Sequence, residues 1–239
     1  WAISVIRYAI TYAFYTVRKE NGEFSIQRGL IRQKHLSLKE HRIQTVSFIE
    51  GVLRQPFKVG TLQVDVAGGS GYKEQTKTVT HPLIKKEEMD AYFDYAFKDH
   101  EYKDQVKPLP KRALKRYVIR SALPILIPGI ILVFITVHAW WFILPMIINM
   151  VYAVFRFRDS GLLLEKRQLT LRNRLIARTT SFTRKNHIQS LVISQNILQR
   201  YSDLATVEIK VLSSPKAVSY SLKDVALEEA LDVYDWLKQ

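Results

Sequence analysis

Cysteine is absent from this chain of 239 residues. That excludes disulfides, thiolate nucleophiles and Cys-ligated zinc, and it suits a reducing compartment. Charge is missing from one long stretch: Ser121 to Phe155 contains no Asp, Glu, Lys or Arg. Acid is missing from a longer one, since no Asp or Glu lies between Asp104 and Asp159. Metal-binding spacing is missing too. The six histidines, at 35, 41, 81, 100, 138 and 187, are scattered, and none falls in an H-E-x-x-H pattern. Gly68-Gly69-Ser70-Gly71 lacks the Lys-Ser/Thr of a phosphate loop and reads as a turn. Glu87-Glu88 and Glu228-Glu229 fall near expected helix starts, where acids complement the helix dipole rather than form a catalytic dyad. No secretory signal pattern opens the chain. These absences predict no enzyme, no catalytic residues, no metal and no cofactor.

What is present is organised around the uncharged stretch. As one helix, Ser121–Phe155 would reach roughly 50 Å at 1.5 Å per residue, beyond the ~30 Å hydrocarbon core of a bilayer. Cut near His138, it leaves about 17 apolar residues on each side, near the lower limit for a spanning helix. The expectation is a transmembrane hairpin, with Trp140 and Trp141 beside its turn at a water–lipid boundary. Pro124, Pro128 and Pro145 are tolerable there if neighbours satisfy the freed carbonyls.

The net charge of +14 is concentrated at the two ends of this hairpin. Lys107, Lys111, Arg112, Lys115, Arg116 and Arg120 precede it, and Arg156 and Arg158 follow it. The positive-inside rule places both ends in the cytoplasm. These eight residues form a candidate contact for anionic lipid headgroups, worth about 1 kcal/mol each near the surface. Topology signal alone accounts for them equally well. Because the bases cluster beside lipid, nucleic acid is not an expected partner, despite a pI near 9.9.

The flanks repeat one another. Sliding residues 24–66 by 145 places them on 169–211, with identities that include Ile43/Ile188, Gln44/Gln189, Leu53/Leu198, Thr61/Thr206 and Val66/Val211. Positions 24, 26, 30, 31, 43, 46, 48, 52, 53, 59, 62, 64 and 66 are apolar, and so are all their counterparts. Thr61–Val66 and Thr206–Val211 alternate strictly, the period of half-buried strands. Asn21-Gly22 signals a hairpin. A helix is expected over about 82–102 in the first copy and about 223–237 in the second, with Ser221 and Asp224 forming an N-terminal cap.

The phrases His41-Arg42-Ile43-Gln44-Thr45-Val46 and Leu53-Arg54-Gln55-Pro56-Phe57-Lys58-Val59-Gly60-Thr61-Leu62 carry a resemblance, as do Asn186-His187-Ile188-Gln189-Ser190-Leu191 and Leu198-Gln199-Arg200-Tyr201-Ser202-Asp203-Leu204. They resemble the bacterial pleckstrin-homology-like domain of type 2, whose pattern is approximately R-I-Q-x-V, a short gap, then L-x-R-x-x-G-x-x-T-V. The first copy has Gln55 at the usual Arg and Lys58 at the usual Gly. The second has His187 at the first Arg and Asp203 at the Gly. The similarity covers nearly everything outside the hairpin.

The resemblance implies an α+β fold: two PH-like β-barrel or sandwich domains, each capped by a C-terminal helix and separated by a transmembrane helical hairpin. The expected boundaries are 1–14, the end of an upstream transmembrane helix of a longer protein; 15–104, the first domain; 105–120, a basic juxtamembrane segment; 121–155, the hairpin; and 156–239, the second domain. It further implies a multi-pass protein of the cell membrane with both domains cytoplasmic, and a part in resistance to membrane-active antimicrobial peptides. The expected function is a scaffold that binds partner proteins or anionic lipid at the inner leaflet. An accessory subunit of a membrane transport or export complex is the alternative. Expected partners are membrane lipids, other membrane protein subunits and a smaller single-domain PH-like relative. Arg42, Gln44, Arg54, His187, Gln189 and Arg200 are read as either a partner site or a set of structural turn residues, with the structural role favoured because polar groups at turns usually satisfy backbone.

Overall fold

The structure, a computed structural model, describes residues 10, 14–20, 22–30, 34–68, 77–135, 139–213 and 217–239. The first repeat contains β1 (Thr16–Glu20), β2 (Glu23–Arg28), β3 (Lys34–Lys39), β4 (Ile43–Glu50), β5 (Val59–Val66) and β6 (Lys77–Lys85), closed by helix α1 (Met89–Ala96). A short strand β7 (Lys107–Pro108) leads into α2 (Arg112–Ile135) and α3 (Ile143–Arg158). The second repeat contains β8 (Gly161–Leu164), β9 (Gln168–Arg174), β10 (Arg178–Arg184), β11 (Ile188–Ser194), the single turn α4 (Ile197–Arg200), β12 (Leu204–Val211), β13 (Val218–Ala226) and α5 (Leu227–Lys238). The same order of elements thus occurs twice. A shift of 145 carries 59–66 onto 204–211, and after a shorter loop a shift of 141 carries 77–85 onto 218–226.

Strand pairing joins the repeats. One sheet runs β1-β2-β3, another β11-β12-β13, and a third β6-β5-β4-β10-β9-β8-β7. The junction is antiparallel β4–β10, in a register that sets Ser47 opposite Ser181 and Val46 opposite Phe182. The first core, built on Phe24, Ile26, Phe48, Leu62, Met89, Phe93 and Phe97, takes in Phe182 from the second repeat. The Phe182 ring packs edge-on against Phe93 with centroids 5.2 Å apart. The second core holds Leu169, Leu171, Leu204, Val207, Ile209, Val225 and Val233, and it takes in Ala113 and Tyr117 from the foot of α2. Gly161 is required where β8 meets β7: a Cβ there would lie 2.5 Å from the Lys107 carbonyl.

Helix boundaries differ from the sequence reading. The expected first helix, 82–102, gives up its start to β6, because Pro82 and Ile84 lie in a strand that pairs with β5. It ends at Ala96, and the ring of the following Phe97 is drawn into the core. The expected second helix, 223–237, begins only at Leu227, and Ser221 and Asp224 are strand residues rather than a cap. Asp224 has φ +63 and its carboxylate is claimed by arginines of α2. The helix entrance is fixed instead by Leu227 N–H donating to the Asp203 carbonyl at 3.0 Å.

Helices α2 and α3 form a hairpin, joined by a 3-10 turn at Ala139–Phe142 and tied by Asn149 Nδ2 donating to the Ser121 carbonyl at 3.0 Å. Pro145 is the third residue of α3, where its missing N–H removes no intrahelical bond. Among the described residues no helix is long and apolar enough to cross a membrane. The apolar parts of α2 and α3 extend roughly 22 and 20 Å at 1.5 Å per residue. The expected break at His138, the turn residues 69–71 and, but for residues 10 and 14, the segment 1–14 lie outside the described residues.

Candidate functional site

Two features of the surface stand out, and both are built at the hairpin. The first is its apolar flank. Leu123, Ile127, Ile130, Leu144, Ile147, Ile148 and Val151 each expose half or more of their surface, as does Trp141 beside the turn. These side chains are spaced along both helices, while the hairpin's foot turns inward through Tyr117 and Phe157 onto the second core.

The second feature is the basic collar at that foot, and much of it is occupied by protein. Arg116 and Arg120 both donate to Asp224, at 2.7 and 2.9 Å. Asp224 is fully buried and also accepts from Gln199 Nε2 at 3.0 Å. Gln199 bridges onward to Thr206 Oγ1 at 2.9 Å. Arg112 donates to the Asp203 carbonyl at 3.0 Å, Arg156 to the Arg174 carbonyl at 3.0 Å, and Lys107 pairs with Glu229 at 2.6 Å. Lys111, Lys115 and Arg158 are the collar residues that face solvent with no protein partner among the described residues. A carboxylate desolvated this far needs its two guanidiniums, since an unpaired buried charge costs several kcal/mol. The collar therefore fastens α2 to β13 before it can contact lipid.

Behind the foot of α3, a second charge network crosses the junction between repeats. Buried Glu50 of β4 accepts from Arg178 Nε and Nη2 of β10, at 2.7 and 2.5 Å. Arg178 also reaches Asp159 at 3.4 Å, and Asp159 in turn holds Arg174, which bonds the Gln55 side chain. Hydroxyl pairs continue the seam at Ser47–Ser181, 3.1 Å, and Thr45–Thr183, 3.0 Å. Tyr220 of the second repeat closes it with a hydrogen bond to Asp65 of the first.

At the far end of the seam lies a cavity of about 170 Å³ lined by Glu40, His41, Ile43, Asp99, His100, Arg184 and His187. Burial, reinforced by His187 and Arg184, depresses the His100 pKa to about 3. Burial also lowers that of His187, despite its hydrogen bond to Gln44. Both rings are therefore neutral near pH 7, with centroids 6.2 Å apart. His187 Nδ1 faces the Gln44 carbonyl at 3.2 Å, so that nitrogen carries the proton. Among the described residues no group of three or more acidic, His or Cys side chains could hold a metal.

The remaining phrase residues make turn contacts. Arg42 donates to the Gly68 carbonyl at 3.0 Å, Gln44 Nε2 to the Arg42 carbonyl at 3.3 Å, and Arg54 to Thr61 Oγ1 at 2.9 Å. Gln189 and Arg200 are exposed. The two departures from the glycine position carry a backbone signature: Lys58 and Asp203, 145 apart, both sit in the left-handed region, at φ +53 and +47. Sequence reasoning passed over Glu50, Asp159, Arg174, Arg178, Gln199 and His100.

The sequence profile described as the bacterial PH domain matches residues 1–99 and 117–239. The chain is also similar to the transmembrane protein YdbT of Bacillus subtilis (strain 168), at 25% identity over 241 residues, which takes in 99% of this chain and 48% of that protein. The chain thus spans about half the length of the curated relative it matches.

Proposed function

Since the chain belongs to the bacterial PH domain family, we propose that it is a membrane-anchored interaction module, holding two PH-like repeats against the inner face of a cell membrane by its hairpin, 121–155. The observation that carries this is the exposed apolar flank of α2 and α3. Contiguous apolar surface on this scale marks a membrane or partner contact. Lipid is the occupant because the flank stands beyond a ring of bases. Both ends of the hairpin are basic, which sets both repeats on the cytoplasmic side. The apolar parts of the helices fall several Å short of a ~30 Å core, and bilayers adapt to such mismatch at fractions of a kcal/mol per Å.

Magnitudes favour protein partners over a specific headgroup. Three free collar cations, Lys111, Lys115 and Arg158, contribute about 3 kcal/mol of attraction to anionic lipid at about 1 kcal/mol each. That assists adhesion without selecting a headgroup. Two PH-like surfaces fixed at the membrane instead suit other membrane subunits or a smaller single-domain relative as partners. Such a placement fits a role in resistance to membrane-active peptides and requires no catalytic residue. An accessory subunit of a transport complex is the second reading, favoured by short helices whose outward faces meet no neighbouring helix among the described residues.

The absence of native cysteine makes the test clean. In cells expressing the full chain, Trp141→Cys is expected to react with a membrane-impermeant maleimide added outside, whereas Lys58→Cys reacts only after lysis. If both react only after lysis, the crossing is wrong. Recovery of membrane proteins with the chain in mild detergent supports the interaction role, and a preparation free of any partner contradicts it.

A further inference from the structure

The seam between the repeats uses one edge from each and, among the described residues, leaves the equivalent edge of each unpaired. Within the first repeat β4 bonds β5, and its other edge takes β10 of the second repeat. The repeat relation turns β4 into β11 and β10 into β3. Among the described residues each of these bonds one neighbour: β11 pairs with β12, and β3 with β2. The chain therefore carries both halves of a second seam on opposite repeats.

Strand β11 is poorly protected as an edge. Its sequence, IQSLVIS, holds no charge and no proline, the features that ordinarily block edge pairing. It also keeps the geometry that β4 uses. The register shift between Ile43 and Thr45 against β5 recurs between Ile188 and Ser190 against β12. Ser47 is buried at the internal seam, while its equivalent Val192 is 43% exposed. Val192 thus sits at a position that pairing would cover.

The facing elements are complementary as well. In the internal seam α1 lies over the outer face of β8–β10, with Phe93 against Phe182. The equivalents are Tyr234 on α5 and Ser37 on β3. Tyr234 is 41% exposed. The outer face of β1–β3 is an open polar trough lined by Arg18, Glu20, Glu23, Ser25, Gln27 and Ser37. A phenol over a serine in a polar trough replaces an apolar ring pair, so both sides of the contact have changed character together.

We infer that a second copy of this chain docks head to tail, its β3 pairing antiparallel with β11 in the register of the internal seam and its β1–β3 face receiving Tyr234. Leu36 then stands opposite Val192, as Ser181 stands opposite Ser47. The contact is heterologous, so it propagates as a row of copies or closes as a ring. It supplies one partner for the interaction module proposed above. Because it depends on the two repeats and not on how the hairpin meets lipid, it is testable in detergent whatever the membrane topology.

The full chain is prepared as Leu36→Cys and, separately, as Val192→Cys, and the two are mixed and oxidised with copper phenanthroline. Two thiols facing across a non-hydrogen-bonded or hydrogen-bonded pair lie within disulfide reach. The expected result is a linked dimer in the mixture, at least ten-fold above either variant alone or the mixture of Leu36→Cys with Leu191→Cys, whose side chain points to the opposite face. Equal linking in all combinations, or none in the mixture, overturns the proposal; the latter includes the case in which a further repeat of a longer chain occupies these edges. As a second measurement, Val192→Lys is expected to reduce the detergent-corrected mass to one chain while the circular dichroism of the fold is unchanged. A mass above one chain for both forms, or of one chain for both, contradicts it.

Discussion

The two repeats share an order of strands but not a means of attachment. The second is fixed to the hairpin by Ala113 and Tyr117 in its core and by Asp224 between Arg116 and Arg120. In the first repeat the position equivalent to Asp224 is Leu83, which is 57% exposed and closes no such latch. The first repeat is held instead through the β4–β10 seam and through Phe182 lodged in its core. A duplicated fold has thus been connected in two ways, one by a buried acid between helix arginines and one by continuation of a sheet that carries its own buried pair, Glu50 with Arg178. Both attachments carry a buried acid, Asp224 at the helix foot and Glu50 at the seam, and each stands at a position where the other repeat has none, Leu83 and Gln195, so it is the attachment and not the fold that decides where buried charge sits.

Substitutions at the two attachments separate them. Asp224→Asn leaves Arg116 and Arg120 without their carboxylate and is expected to destabilise the second repeat by about 4 kcal/mol, in the range found when one partner of a buried ion pair is removed. Leu83→Asp at the equivalent exposed site is expected to change stability by less than about 0.5 kcal/mol. Denaturant unfolding measures both, and similar values for the two would erase the contrast. Glu50→Gln removes the carboxylate that Arg178 spans across the seam. Because Asp159 still contacts Arg178, the expected loss is smaller, about 3 kcal/mol. It should appear first as exchange of β10 amides rather than as loss of the Asp224 latch.

Acid should loosen the seam at its His100 end. His100 is held neutral in the folded chain, with a pKa of about 3 against a model-peptide value of 6.5. The unfolded chain therefore binds the proton first as pH falls. Stability is full above about pH 6.5 and is lost progressively toward pH 3, at about 1.4 kcal/mol per pH unit. By pH 5 the loss from His100 is about 2 kcal/mol. His187, also lowered, adds in the same direction. The variant His100→Phe should flatten that part of the pH profile in thermal melts, and an unchanged slope would remove His100 from the account. The smallest effect concerns the glycine position of the family pattern. Lys58 and Asp203 adopt φ near +50 at a cost of roughly 1 kcal/mol. Lys58→Gly is expected to raise stability by up to about that amount, a shift of a few degrees in Tm.

Much of this architecture was legible because its signals are local. Strict alternation in Thr61–Val66 and Thr206–Val211 gave β5 and β12, and the shift of 145 that aligns them also aligns the folded strands. Gly22 fell at the β1–β2 turn, with φ +77 and Glu20 paired with Glu23. The uncharged stretch became an exposed apolar helix pair. What escaped was non-local. Nothing in the strand IQTVSFIE marks Glu50 as buried, because its partner Arg178 lies 128 positions away in the other repeat. Asp224 looked like a cap residue, since acid near a helix start is common; its true partners sit 104 and 108 positions upstream. The collar was read from charge alone, and charge alone does not reveal that a base already has a carboxylate.

Amide hydrogen exchange across the seam tests the joined architecture most directly. If the repeats share one sheet, the amides of 178–184 and 43–50 are protected to the same degree and lose protection together in Glu50→Gln. If 178–184 exchanges rapidly while 168–174 stays protected, β10 is a free edge and the two repeats are separate bodies.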